Sequence, residues 1–458
     1  MADPADQDGW TEAALDLLST FITNACVNTG DPESGNEIVS VRTIQEYLGD
    51  PGTVIEPLPG RASVVYRLRG KDPSAPRLLL IPHLDVVPAN SADWTHPPFS
   101  ATYADGFIWG RGAVDMLNVT AAMVCVFGAL VNGDLPPPQG DVILAAVADE
   151  EAGGVYGAQH LVEEHWDLVA CDYVLTEVAG PTLEHDGAPS LPVTVAEKGP
   201  AWRTITANGI AGHGSQPFGR SNAVLSLSDA FSRIASAPQP ILITDEWRRF
   251  VPHLPVDPDV AAMLVDPERV DEGIERIAES DMTVARWVHA CTHLTFSPNT
   301  MSGGTKHNMV PDHSVGDVDV RMLPGQEGAD VEDHLRKVLG PDLYEELEIL
   351  PSLQMDANGS PLAGPLWEAI GDAAEDHLGS RKLAPTLTPV TTDARFFRER
   401  GIPAYGVGLF DDSVTFAEML EMFHGADVRV SRQSVLDTTR FLASVIGHFS
   451  ERAAHQRD

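Results

Sequence analysis

The chain has 458 residues, 43% of them hydrophobic and 21% charged. That is a globular profile with material for roughly two or three domains, and it excludes extended disorder. A formal net charge of −37 gives a surface that repels phosphate backbones and anionic lipid, which argues against nucleic-acid and membrane partners.

Taken in chain order, the acidic start "MADPADQDGW" lacks the basic and apolar regions of a secretory signal, and no apolar run reaches the length of a membrane span, so a cytoplasmic protein is expected. "TEAALDLLSTFITNACVNTG" predicts a helix with Thr11 as N-cap and Gly30 as stop, and "SVRTIQEYLGD" a second helix. "ASVVYRLRG" and "PRLLLIP" read as strands joined by the turn "GKDPSAP". A mostly apolar helix, "MLNVTAAMVCVFGALVNG", follows "GRGAVD". Then come the strand "DVILAAVADEE", the helix "GAQHLVEEHW" and the strand "CDYVLTE". This alternation predicts an α/β layer around a largely parallel sheet.

Near Lys198 the pattern changes. "AWRTITANGIA" and "SVGDVDVRMLPG" alternate like half-exposed strands. "NAVLSLSDAFSRIAS", "ERVDEGIERIAES" and "ADVEDHLRKVLG" are helical, and "YEELEILPSL" reads as one more strand. Beyond this block come the helix "GPLWEAIGDAAEDHLG", the buried strand "PAYGVGLF" and a closing amphipathic helix, "RQSVLDTTRFLASVIGHF". The expected organisation is an outer domain of residues 1–198 and 355–458, interrupted by an α+β domain of residues 199–354.

The chemistry gathers where the outer domain's apolar strands end. "LLLIPHLD" ends in His83 and Asp85, "VILAAVADEE" in Glu150 and Glu151, and "YVLTE" in Glu177. Asp115 closes "GFIWGRGAVD", and His424 follows the last strand in "MFHGADVRV". Ligands of open α/β sheets collect at the carboxyl ends of strands. A lone His-x-Asp is ordinarily a polar strand end, but several such endings in one sheet are costly unless paired or metal-bound. The four cysteines, Cys26, Cys125, Cys171 and Cys291, form no C-x-x-C pair, so any metal must be held by histidine and carboxylate. Two imidazoles and three or four carboxylates suit two divalent ions; zinc is favoured by the imidazoles, and Mn²⁺ or Co²⁺ also fits. Of the adjacent Glu150 and Glu151, one can bind metal while the other stays free as a base.

The stretches "PHLDVVPA", "WTHPPFSATYADGFIWGRGAVDM", "ADEEAGG", "GHGSQP", "GGTKHNMVPDHSVGDVDVRMLPG", "TTDARFFRERGIPAYGVG" and "FHGADVRV" together resemble the di-zinc amidohydrolases and exopeptidases that include aminoacylase-1, carboxypeptidase G and succinyl-diaminopimelate desuccinylase. The resemblance implies a zinc-exopeptidase-like catalytic domain with an inserted lid and dimerisation domain, hence a homodimer. It implies His83 and Glu177 on one zinc, Glu151 and His424 on the other, Asp115 bridging them, and a cis peptide after Asp115. Glu150 is then the general base and Asp85 the group that orients His83. His213 corresponds to a lid histidine that stabilises the oxyanion, often from the neighbouring subunit, and Asn308 and Arg321 to lid residues that grip a substrate carboxylate. Pro82, where the family often has glycine, and Leu117-Asn118, where it commonly has Lys-Gly, depart from the pattern without removing a ligand. The lid is also longer than in compact members.

The function expected is hydrolysis of an amide or peptide bond in a small carboxylate-bearing substrate, an N-acyl amino acid or a C-terminal residue. A dipeptidase is the alternative within enzymes, and a catalytically silent metal-binding scaffold the alternative outside them. A nucleotide-binding protein is disfavoured, since no Walker loop or G-x-G-x-x-G follows the first strands.

Overall fold

The structure, a computed structural model, describes residues 9–177 and 180–455. Most of the acidic start lies outside them. Among the described residues no helix is long and apolar enough to cross a membrane.

A ten-stranded mixed sheet organises the larger unit. Its centre is parallel, as expected: Val142–Ala146, Leu78–Leu80, Tyr173–Thr176 and Ala404–Gly406 lie side by side in that order. Antiparallel strands Arg61–Leu68 and Thr53–Leu58 extend one side. On the other side, Ala188–Glu197 pairs with Ala404–Gly406 and carries the parallel strand Leu383–Thr388. Strands buried on both faces need apolar residues without alternation, and Leu78–Leu80 and Val142–Ala146 are buried throughout. Leu78, Leu80 and Leu144 face a core shared with the helices Ala13–Asn24, Leu117–Asn132, Pro365–Leu378 and Arg432–His455. Leu79, Ile81 and Ile143 face a second core, covered by Ala158–Glu164 and Ala394–Arg398.

A separate antiparallel sheet, ordered Thr295–Gly303, His313–Met322, Gly199–Asn208 and Leu347–Gln354, has its own core beneath the helices Ala223–Ser236 and Gly328–Glu346. The block 199–354 nevertheless divides between cores. Its helices Asp245–Phe250, Pro258–Leu264, Val270–Ala278 and Met282–Thr292 bury Trp247, Phe250, Leu264 and Trp287 in the larger unit. Trp287 meets Phe416 edge-on, with ring centroids 5.3 Å apart, and Trp247 Nε1 donates to Leu264 O at 2.8 Å. Where chain crosses between the units, the buried Lys198 Nζ donates to Ala290 O, His293 O and Thr295 Oγ1 at 2.9, 2.7 and 3.1 Å. Burial lowers its ammonium to about 7.

Several local expectations are corrected. The first helix begins at Ala13 after a 3₁₀ turn, Gly9–Glu12, that contains Thr11, and its cap residue Glu12 makes no side-chain cap bond. It stops at Asn24 with Ala25 left-handed, well before Gly30, because Cys26 and Asn28 exchange backbone hydrogen bonds with Val86. Residues 344–346 of "YEELEILPSL" are helical, in a short stretch set off by a kink at Gly340, and Tyr344 is tied back to the stretch before the kink through Glu332 and Arg336. Only Ala404–Gly406 of "PAYGVGLF" is a strand.

Trp247 is 1% exposed and anchors the helical insert to the larger core. Trp247→Ala should therefore cost about 3–5 kcal/mol of unfolding free energy. Denaturant unfolding should show the loss, and limited proteolysis should cut first within residues 245–292 and spare the lid sheet.

Candidate metal centre and active site

The parallel strands deliver their terminal side chains to one place. His83 leaves the sheet through a bridge to Val147 and is 1% exposed. Its Nδ1 lies 3.0 Å from Asp85 O, an acceptor only, so Nδ1 carries a proton and Nε2 is the nitrogen turned toward the carboxylates. Nε2 stands 3.4 Å from Asp115 Oδ1 and 3.6 Å from Glu177 Oε2. The other oxygen of Asp115 lies 3.5 Å from His424 Nε2, which is 3.2 Å from Glu151 Oε2. Two donor triads result, His83 with Asp115 and Glu177, and Asp115 with Glu151 and His424. In each, the ligand atoms lie within 4.8 Å of one another. The peptide between Asp115 and Met116 is cis. Glu150 belongs to neither triad, and its carboxylate accepts no hydrogen bond among the described residues.

The electrostatics call for cations. Burial pushes Glu177 up to about 8 against the opposing pull of His83. It also raises Glu150 well above the ordinary carboxylate range, with Glu177 adding to the effect, and raises Glu151, with Asp115 adding. Asp115 is pushed up by burial too, but His424 and His83 outweigh this and hold it below the usual range. Asp115 and Glu151 in turn raise His424 to about 10. Neighbouring buried carboxylates that resist joint ionisation, with imidazole nitrogens aimed between them, are the donor set a divalent ion satisfies.

The lid residues make other contacts. His213 is exposed on a ribbon formed by Gly212–His213 and Met309–Val310, with Nδ1 2.8 Å from Ser215 Oγ. Asn308 is exposed on the adjoining turn, where its carbonyl accepts from Gly214 N at 2.7 Å. Arg321 is half-buried, donates from Nε to Asp319 Oδ1 at 2.8 Å and lies over the Trp202 ring. Among the described residues, no hydrogen bond or ion pair joins these three to the donor triads.

The sequence profile of peptidase family M20/M25/M40 matches residues 79–448, a span that takes in both donor triads. The chain belongs to the M20 peptidase family. An N-fatty-acyl-amino acid synthase/hydrolase from Xenopus tropicalis is 26% identical over 402 residues, covering 84% of this chain and 75% of the relative. A succinyl-diaminopimelate desuccinylase from Paracoccus denitrificans is 24% identical over 373 residues, 80% of this chain and 81% of the other. The M20 metallo-carboxypeptidase Sso-CP2 from Sulfolobus solfataricus shares the fold, with a TM-score of 0.70 at 17% identity over 96% of this chain and 99% of that one. Membership makes this M20 chain a hydrolase of amide or peptide bonds with a candidate metal centre.

Behind the triads of this M20 peptidase lies a layer whose roles its sequence pattern does not single out. The Asp85 carboxylate, expected to orient His83, stands 3.5 Å from Nδ1, farther than its own backbone carbonyl. It also accepts from Glu150 N at 3.2 Å, Glu151 N at 3.1 Å and Asn28 Nδ2 at 2.8 Å. Asp149, just before this pair, is left-handed at φ 73°. Its N–H donates to Glu37 Oε1 at 3.3 Å, and its carboxylate takes Asn28 Nδ2, Tyr156 N and the buried guanidinium of Arg61. Asp393 is buried nearby with no partner for either oxygen among the described residues, and burial raises it to about 7. Gly157 closes the segment so tightly that a Cβ there would fall 1.7 Å from Ala148 O.

Asp85→Asn keeps the shape but turns one acceptor oxygen into a donor facing an N–H. Metal affinity should fall about 10–100-fold, as read by chelator competition, and the metal-free chain should also unfold at lower temperature, because the new donor leaves a buried N–H unpaired.

Proposed function

We propose that this M20 peptidase hydrolyses an amide bond in a small carboxylate-bearing substrate, an N-acyl amino acid or a C-terminal residue, with two divalent ions per chain. The observation that carries the reading is the pair of donor triads sharing Asp115, with Glu150 beside them and uncommitted. His83 and Glu177 would hold one ion, Glu151 and His424 the other, and Asp115 both. An imidazole in each set favours zinc, with cobalt or manganese also fitting. Bound there, the ions supply Lewis-acid polarisation of the scissile carbonyl and a more acidic water.

The chain's own groups do the rest. Glu150 takes a proton from water on its carboxylate and returns it to the departing amine nitrogen. In the metal-free chain, burial raises its proton affinity, the direction expected of a carboxyl that takes up a proton. Arg321 and Asn308 would hold the substrate's carboxylate. His213 would donate to the developing oxyanion. Its exposure, and the lack of any hydrogen bond from it to this chain's triads among the described residues, fit delivery to the site of a second subunit, with two lids paired in a homodimer. The names of two relatives, N-fatty-acyl-amino acid synthase/hydrolase and succinyl-diaminopimelate desuccinylase, favour an acyl group on an amino nitrogen over a plain dipeptide. A metal-supplemented screen of N-acyl amino acids against dipeptides tests this, and turnover confined to dipeptides would reverse it.

Glu150→Gln should retain both ions by elemental analysis while kcat drops about 10²–10⁴-fold. Protonated Glu150 cannot accept a proton, so wild-type kcat/KM should fall on the acid side as the Glu150 carboxylate takes up its proton. That acidic limb should be missing from the residual activity of Glu150→Gln. Loss of one ion in this variant would make Glu150 a ligand instead.

Arg321→Ala should raise KM for substrates with a free α-carboxylate and leave their amidated analogues, already poor, nearly unchanged. Steady-state kinetics on matched acid and amide pairs decide the point, because equal losses on both would confine Arg321 to its contacts with Asp319 and Trp202.

A further inference from the structure

His424 is the outlier among the five proposed ligands. Its side chain is 57% exposed, whereas those of His83, Asp115, Glu151 and Glu177 are 1, 17, 5 and 5% exposed. The other imidazole leaves a central strand of the sheet. His424 sits on a loop between the helix Phe416–Met422 and the short strand Arg429–Ser431. Both His424 and Asp427 are left-handed there, at φ 58° and 54°, a conformation that costs a residue with a Cβ and so needs outside support.

That support comes from the segment leading to Asp115. Thr95 N and Oγ1 donate to the Asp427 carboxylate at 2.7 and 2.8 Å, and Gly110 N donates to Val428 O at 2.9 Å. The contact with the histidine itself is made by Arg111, four residues before Asp115 and 4% exposed. Its Nη2 donates to His424 O at 3.2 Å and to Gly425 O at 2.7 Å, and its guanidinium lies over the Trp94 ring, 5.3 Å from the centroid. One flat, rigid group thus uses both hydrogens of one nitrogen to fix two successive carbonyls of the loop.

We infer that Arg111 is a positioning residue for the metal site of Asp115, Glu151 and His424, holding the His424 backbone so that Nε2 faces the two carboxylates. The inference rests on the ligand assignment proposed above. A competing role is purely electrostatic, since the guanidinium also lies in the field of Glu151 and Asp115. The two roles have opposite signs. A cation near the donors repels a metal ion, so its removal would tighten binding, whereas removal of a strut weakens it.

Zn²⁺ titration of the chelator-stripped full chain by calorimetry separates them. His424→Ala should abolish one of two binding steps, and this variant tests the ligand assignment on its own: two intact steps would overturn that assignment and the inference with it. Arg111→Met, which keeps the stem and removes the donors, should weaken that same step about 10–100-fold and spare the other. Arg111→Lys keeps the charge and N–H donors but loses the rigid plane that lies over Trp94 and aims them at the loop, and should fall between wild type and Arg111→Met. On the His424→Ala background, Arg111→Met should leave the surviving step unchanged, because the residue it acts through is gone. Tighter binding, unchanged binding, or further weakening of the surviving step in the double variant would each overturn the inference. Should Arg111→Met fail to fold, Arg111→Lys decides it alone: selective weakening supports the strut and unaltered binding overturns it.

Discussion

A fully buried carboxylate at residue 85 receives hydrogen bonds from Asn28 and from the backbone N–H groups of both Glu150 and Glu151. Two adjacent glutamates on one turn can serve different purposes only if the turn is rigid, and a single anion accepting from both of their amides makes it so. The stiffness continues behind them. Asp149 is held left-handed by Glu37 through its amide and by Arg61, Asn28 and Tyr156 through its carboxylate. Buried charges of this kind are tolerated when each is paired and hydrogen-bonded. Here the pairing also fixes where Glu150 and Glu151 point.

The same logic separates the two halves of the centre. The His83 half is built on strands whose apolar residues fill cores on both faces of the sheet, so its position follows from packing. The His424 half depends on a loop. The helical insert reaches that loop's approach from the other side, through Trp287 against Phe416 and Thr283 Oγ1 on Glu421 Oε1. A segment that interrupts the lid in sequence is in space part of the catalytic unit's wall, and Lys198 ties its last turn to the crossing between the units.

Much of this was legible in the sequence. The central strands announced themselves as short apolar runs, and their chemistry as acids and an imidazole at the ends of those runs. The structure brings His83, Asp115, Glu151, Glu177 and His424 together as that pattern implied. Ala188–Glu197 and Leu383–Thr388 were not legible as strands because Pro189, Pro192 and Pro385 break their pattern. The destination of residues 245–292 was hidden for another reason: an amphipathic helix shows that it has an apolar face but not which core the face will meet. Arg61 and Arg111 left no local signature, since an arginine that binds backbone carbonyls or a distant carboxylate looks like any surface cation in the sequence. Asp85 was seen as a partner of His83, whereas its hold on two amides some 65 residues away could come only from the folded chain.

Gly157 shows how little room this arrangement leaves for change. Any side chain there would collide with the carbonyl of Ala148, which lies between the strand Val142–Ala146 and the two glutamates. The collision is with main chain, which no rotamer change relieves. Every substitution at this position would therefore be felt at Glu150 and Glu151, seven and six residues upstream. In a sequence library this position should behave as a catalytic residue does, invariant and intolerant, although it lacks a side chain and touches nothing that reacts. Intolerance at this position would thus reflect backbone clearance and not chemistry.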